Sequence, residues 1–310
     1  MCHSCVWRIM VGMSTVQEHA FNTRLMGCDA AVSIVTDDFD RATIAFERAI
    51  ALGRATEARF SRFLPDSELS TLNREKTNIV SPEFMRALMT AFSLYQETQQ
   101  VFNVLTQVRA RGYSSDFDHM EREVTIGVPL PYNSDLEQVI VDEDTRLVVL
   151  RADQELDFGG FMKGHTAEVL AQSMTDMQGV IVNIGGDCYA TGRDAQHKPF
   201  MFSVYNPITD AYPLALPIHG SGAIATSGTY RRTWRLNGAP VHHIVGVQGG
   251  SDDLVSATVV HPLGGRADAY ATTAIALGSA GAVQFLDRMH TPYVLITSEG
   301  QLIRNTTSSV

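Results

Sequence analysis

Val180-Ile181-Val182-Asn183-Ile184-Gly185-Gly186-Asp187 reads as a buried strand that ends on two glycines and an acid. A Gly-Gly or Gly-Asp pair after a β-branched run is the chemistry of a tight hairpin turn, so the next strand returns antiparallel. Residues 138–150 (QVIVDEDTRLVVL) repeat the pattern, two β-branched runs around an acidic turn. Further short strands are expected at 26–35, 200–205, 213–218, 223–226, 242–247, 255–261 and 293–297. Asp38 opens a helix whose Phe39, Ala42, Phe46, Ala49, Gly53, Thr56 and Phe60 recur at helical spacing. Ser81-Pro82-Glu83 is a helix start with Ser as cap and Pro in the first turn. Other helices are expected at 164–174, from about Asp268, and from Ala280 to Met289. Antiparallel runs of strands with helices grouped between them give an α+β fold of antiparallel sheets with packed helices, not a doubly wound sheet.

The chain has 310 residues, 45% hydrophobic and 19% charged, enough for a full core without a disordered tract. We expect residues 1–12 to be non-structural and 13–310 to form one domain, because no Gly- or Pro-rich linker divides it. A net charge of −10 argues against a nucleic-acid backbone as ligand. It leaves a nucleotide open, since a bound cation and backbone dipoles override the global sign locally. The cysteines (Cys2, Cys5, Cys28, Cys188) do not form a disulfide framework, which favours a reducing, cytoplasmic setting. Neither a secretory signal nor a membrane span is expected.

Several segments carry candidate chemistry. In Ala267-Asp268-Ala269-Tyr270-Ala271-Thr272, an acid and a hydroxyl at i and i+4 share one helix face among small residues. Such oxygens suit a hard cation such as Mg²⁺, or else Asp268 is simply the helix cap. Asp157-Phe158-Gly159-Gly160-Phe161-Met162-Lys163-Gly164 is a strand end, glycine turn and helix start, with Lys163 able to meet a phosphate. An ordinary βα turn with a surface lysine reads equally from it. Ala223-Ile224-Ala225-Thr226-Ser227-Gly228 puts small and hydroxyl residues straight after a strand, a loop able to receive a diphosphate. P-loop, Rossmann and nucleophile-elbow patterns are missing. His242-His243 lies in an apolar strand, either as a packed residue or as a general base. Residues 60–73 (FSRFLPDSELSTLN) line a planar ligand or form a loop with Ser67 capping a short helix.

Taken in order, these segments resemble the ApbE-type FAD:protein FMN transferases. The matching blocks are Met26-Gly27, FSRFLPDSELSTLN at 60–73, LDFGGFMKGHTAEVL at 156–170, VNIGGDCYATG at 182–192, AIATSGTYRR at 223–232, His243-Ile244, SATVVHP at 256–262 and ADAYATTAIALG at 267–278. The resemblance implies a T-fold-like α+β architecture, FAD as donor and Mg²⁺ as cofactor. It implies FMN transfer to a threonine of an acceptor protein, with release of AMP. It implies Gly160, Asp268 and Thr272 around the metal, and Met26, Phe63, Asp157 and Lys163 against FAD. The loop residues Thr226, Ser227 and Gly228 join the FAD set, and His243 takes the threonine proton. Three positions depart from the family pattern. Val245-Gly246-Val247 replaces an Asp-Pro after the histidine, Val101-Phe102-Asn103-Val104-Leu105 replaces a longer glycine-containing loop, and Cys28 stands where Thr is common. These departures keep two alternatives open: an FAD-binding relative without transfer, or an FAD diphosphatase.

Overall fold

The computed structural model describes residues 16–105, 123–125, 133–230, 233–242, 244 and 253–305. In chain order the first half runs β1 (Gln17–Leu25), β2 (Cys28–Thr36), α1 (Phe39–Phe60), α2 (Glu68–Glu75), β3 (Thr77–Ile79), α3 (Pro82–Glu97), β4 (Glu123–Val124), β5 (Ile140–Asp142), β6 (Leu147–Val149) and α4 (Met162–Gln172). The second half runs β7 (Gly179–Ile184), β8 (Asp187–Gly192), β9 (Phe200–Asn206), β10 (Ala211–Ile218), β11 (Gly220–Gly228), β12 (Thr233–Leu236), β13 (Ala239–His242), β14 (Leu254–His261), α5 (Gly264–Arg288), β15 (Tyr293–Thr297) and β16 (Leu302–Arg304).

An eight-stranded sheet in the order β1-β2-β7-β8-β11-β14-β15-β16 organises the molecule, and every neighbouring pair is antiparallel. The Gly185-Gly186 turn closes the β7–β8 hairpin, both glycines at positive φ, as the sequence predicts. One face of the sheet (Val32, Ile34, Val180, Val182, Ala223 and Ala225) packs against Ala42 and Ala49 of α1, Leu170 of α4 and Ala267 of α5. The other face (Val35, Ala190, Ile224 and Val260) is covered by Phe200 and Ile218 of the separate β9–β10 hairpin. The α+β reading holds.

The helix starts follow their caps. Asp38 accepts from the Arg41 N–H at 3.0 Å, and Ser81 accepts from Phe84 at 3.2 Å with Pro82 in the first turn. Ser67 caps α2 by accepting from Ser70 at 2.9 Å. The 138–150 hairpin appears as β5 and β6.

The structure corrects several boundaries. β1 has no counterpart among the predicted strands. It is an edge strand with an alternating, largely polar sequence, and it turns into β2 through Met26 (φ 56°) and Gly27 (φ 66°). Phe39 is 59% exposed rather than part of the buried stripe, its ring 6.1 Å from Phe21. The last two predicted helices form one run broken at Gly278 (φ 70°), where Asp253 accepts from the Ser279 N–H at 2.9 Å. At 25 residues, α5 is also long and apolar enough by composition to cross a membrane, contrary to the expectation that no segment is. It lies instead against β11, β14 and α4, mostly buried. The expected non-structural segment 1–12 lies outside the described residues.

Helices α4 and α5 cross at two glycines. A Cβ on Gly164 would stand 2.2 Å from the Gly264 carbonyl oxygen, and one on Gly264 would stand 2.1 Å from the Gly164 oxygen. Backbone-to-backbone contact of this kind leaves no side chain to yield. Gly164→Ala is therefore expected to cost about 1–3 kcal/mol in urea unfolding. Gly265→Ala, whose Cβ meets its nearest neighbour at 3.4 Å, should be neutral or gain up to about 1 kcal/mol of helix propensity. Equal stability of Gly164→Ala and the parent chain would contradict the crossing.

Candidate functional site

The α4–α5 crossing puts the first turn of α4 beside the second turn of α5, and this brings Lys163 to Asp268. Lys163 Nζ donates to Asp187 at the start of β8 and to Asp268 Oδ2 at 3.3 Å. The Gly164 N–H donates to the same Asp268 oxygen at 3.2 Å. Both carboxylates are buried, Asp187 and Asp268 each 1% exposed. Burial and the neighbouring Asp187 charge push the Asp268 carboxyl up to about 7, against the pull of Lys163 and the Gly164 N–H. Asp268 is not a helix cap. The helix begins four residues earlier, where the Glu168 carboxylate accepts the Gly264 N–H at 2.7 Å.

Thr272, one turn beyond Asp268, has its hydroxyl 3.0 Å from that of Ser227. Here the sequence reading is corrected: Thr226, Ser227 and Gly228 belong to β11 itself rather than to a loop after it. β14 pairs with them on one side, while β8 pairs only as far as Ile224 on the other. The open edge lets the Thr226 N–H reach Asp187 Oδ1 at 3.3 Å.

Asp157 and Gly160 come from the turn before α4. Asp157 Oδ1 accepts from the Gly159 N–H at 2.8 Å, and Oδ2 pairs with Arg62 Nε at 3.1 Å. The Arg62 guanidinium lies 4.3 Å from the centre of the Phe63 ring, a cation–π plate at the rim. Gly160 is fixed as glycine by Phe102, whose ring edge would be 2.9 Å from a Cβ there.

These side chains line one cavity of about 520 Å³. Met26, Phe63, Asp157, Gly160, Lys163, Thr226, Ser227, Gly228, Asp268 and Thr272 all border it, so it gathers every candidate site residue that is described. His243 lies outside the described residues; Ile244, next in the chain, lines the cavity. The wall also includes Arg62 and Tyr230, which lie in the 60–73 and 223–232 blocks with no signal of their own, and Tyr205, which carries no signal in the sequence. Cys28 and Cys188 are buried near the Gly185-Gly186 turn, and burial pushes the Cys188 thiol up to about 12.

The far face of α5 is also held. Arg266 donates from Nε and Nη2 to the two oxygens of Glu97, at 3.1 and 2.6 Å. The Tyr270 hydroxyl donates to Glu97 at 2.7 Å, and the Ser93 hydroxyl donates to Glu97 at 2.6 Å. The cluster has no local signature in the sequence, because Glu97 is 169 residues from Arg266.

Among the described residues no group of three or more His, Cys, Asp or Glu side chains could hold a metal on its own. The donor set is one buried carboxylate, hydroxyls and backbone oxygen, which suits a hard cation that keeps much of its water. A cavity of this size, with a lysine, an open strand edge and apolar walls, is a site for a phosphate-bearing, partly planar ligand.

Comparison with known proteins gives the lineage. A protein-family model described as the ApbE family matches residues 26–295, and the chain belongs to that family. It is 31% identical over 157 residues to the FAD:protein FMN transferase of Salmonella typhimurium, covering 48% of this chain and 44% of that relative. Against the FAD:protein FMN transferase of Haemophilus influenzae it is 23% identical over 288 residues, covering 85% and 81%. The matched stretch thus spans less than half of the Salmonella relative. Among solved structures, the ApbE protein of Thermotoga maritima superposes with a TM-score of 0.80 at 19% identity, covering 94% of this chain and 97% of that one. The apo flavinyl transferase ApbE of Pseudomonas stutzeri gives 0.78 at 18%, covering 96% and 97%. These likenesses establish the fold.

The Glu97 cluster gives a pH test. Burial alone would push the Glu97 carboxyl up, but hydrogen bonds from Arg266, Ser93 and Tyr270 outweigh it and hold the group below its ordinary value of 4.5. A carboxyl with a depressed folded value adds stability above its unfolded value and loses it as pH falls through the folded one. Glu97→Gln is therefore expected to be about 1–2 kcal/mol less stable at pH 7, discounted for partial exposure. That deficit should close as pH falls below 4.5. A deficit independent of pH, followed by urea unfolding, would contradict it.

Proposed function

We propose that this chain transfers FMN from FAD to a threonine side chain of an acceptor protein, with Mg²⁺, releasing AMP. The observation that carries the proposal is the convergence of ten candidate residues from five segments on one cavity. Membership of the ApbE family and the names of the matched relatives support the same reading.

The residues fit both groups. Asp268 and Thr272 would hold the cation, with a backbone oxygen from Gly160. Asp268 already sits beside a second acid with only one lysine between them, so the pair gains from a further positive charge. When bound, Mg²⁺ would supply charge neutralisation on the diphosphate. Met26 and Phe63 would border the planar rings, and Asp157 would accept from a sugar or ring N–H.

Phosphoryl chemistry of this kind needs placement and charge stabilisation more than covalent help. The threonine oxygen bonds to the FMN phosphorus, and the bond from that phosphorus to the bridging oxygen breaks. AMP leaves with that electron pair, and the hydroxyl proton passes to a base, the role proposed for His243. Lys163, anchored by Asp187, would neutralise the phosphates from the α4 side. Thr226, Ser227 and Gly228 would offer their open strand edge to the same anion. A reducing, cytoplasmic setting, expected from the few scattered cysteines of the sequence, belongs to the same proposal.

Incubation with FAD, Mg²⁺ and a panel of threonine-bearing flavoprotein domains tests the reading. FMN attached to a domain and resistant to denaturing electrophoresis, with AMP released, is the expected result, and EDTA should prevent it. Asp268→Ala should slow it by about 10²–10³-fold. Free FMN accumulating without labelled domain would replace the transferase reading with a diphosphatase.

A further inference from the structure

We propose that Glu97 is a positioning residue that sets the rotation of α5, so that Asp268 and Thr272 face the cavity. The inference rests on the cation-holding part of the proposed function. Successive helix residues turn by 100°, so positions two apart lie about 200° apart. Asp268 and Thr272 form one i, i+4 pair facing the cavity. Arg266 and Tyr270 form a second, two residues out of step, and both reach Glu97. The helix is thus gripped on the face opposite Asp268 and Thr272, while Thr273 and Ala276 border the cavity from the flank between the two pairs.

The placement of Glu97 argues that the grip is its purpose. It is the last residue of α3, where a negative charge opposes the helix dipole. Both of its oxygens are saturated: one accepts from Arg266 Nη2 and Ser93, the other from Arg266 Nε and Tyr270. After the cap residue Thr98, Gln99 (φ 53°) and Gln100 (φ 69°) take left-handed conformations that turn the chain into Val101, Phe102 and Asn103. Those three residues line the cavity, and Phe102 packs on Gly160. One carboxylate therefore ties the α5 wall, with Asp268 and Thr272, to the wall that covers Gly160.

The test separates positioning from simple loss of stability. Mg²⁺ binding is measured by calorimetry on the whole chain for wild type, Glu97→Gln, Tyr270→Phe and Leu286→Ala. Leu286 is fully buried in the distal half of α5 and makes none of the Glu97 hydrogen bonds, so its truncation controls for destabilisation. Glu97→Gln should weaken Mg²⁺ about tenfold or more, Tyr270→Phe by threefold or less, and Leu286→Ala not at all. Transfer assays should show kcat falling with the KM for FAD held within about threefold. Hydrogen exchange without metal gives an independent reading: amides 267–275 should exchange at least tenfold faster in Glu97→Gln. Wild-type Mg²⁺ affinity in Glu97→Gln, the same loss in Leu286→Ala, or unchanged exchange of 267–275 overturns the proposal. A wild type that binds no Mg²⁺ overturns the metal assignment instead, and the exchange result then decides the role of Glu97.

Discussion

Two buried carboxylates, Asp187 and Asp268, share the ammonium of Lys163, and three separate elements must meet to arrange this. Burying two acids against one lysine leaves an excess negative charge in a low-dielectric place, a costly arrangement for stability alone. It raises the affinity of Asp268 for a proton and, by the same electrostatics, for a cation. The surrounding fold supplies what this contact needs. The bare glycines at 164 and 264 let α4 and α5 approach. Asp187 is set by the tight Gly185-Gly186 turn, and its second oxygen is occupied by the open edge of β11.

The rest of the cavity follows from that meeting point. β11 runs past the end of β8, so its last residues pair with β14 on one side and have no strand partner among the described residues on the cavity side, where Asp187 takes the Thr226 N–H. The Met26-Gly27 turn, the Asp157–Gly160 turn and the Phe102 segment close the remaining sides. Each wall is a turn or strand end mounted on a packed element, the usual way a rigid scaffold presents binding groups.

Much of this was legible in the chain. Hairpin glycines, helix caps at Asp38, Ser67 and Ser81, and the acid–hydroxyl pair at 268 and 272 are local signals, read within a few residues of themselves. The two candidate roles of Asp268 could not be separated locally. Which holds depends on where α5 begins, and Glu168 of α4 decides that from 96 residues away. Thr226–Gly228 read as a loop because β-strand continuation there depends on β14, which comes later in the chain. β1 was missed because an edge strand needs apolar residues on one face only, and its sequence is dominated by the polar ones. Glu97 carries no signal, and Arg62 reads only as part of the 60–73 block, because their partners are far away in sequence. Arg62 meets Asp157 only when α1 and the turn before α4 are folded together.

The central claim is that the cavity around Lys163, Asp187 and Asp268 holds both a divalent cation and the diphosphate of FAD. A crystal structure grown with FAD and Mn²⁺, examined for anomalous scattering from manganese, tests it most directly. The account predicts one manganese peak within coordination distance of Asp268 and Thr272, with the diphosphate beside Lys163. FAD bound outside this cavity, or manganese on other carboxylates with FAD in place, would contradict it.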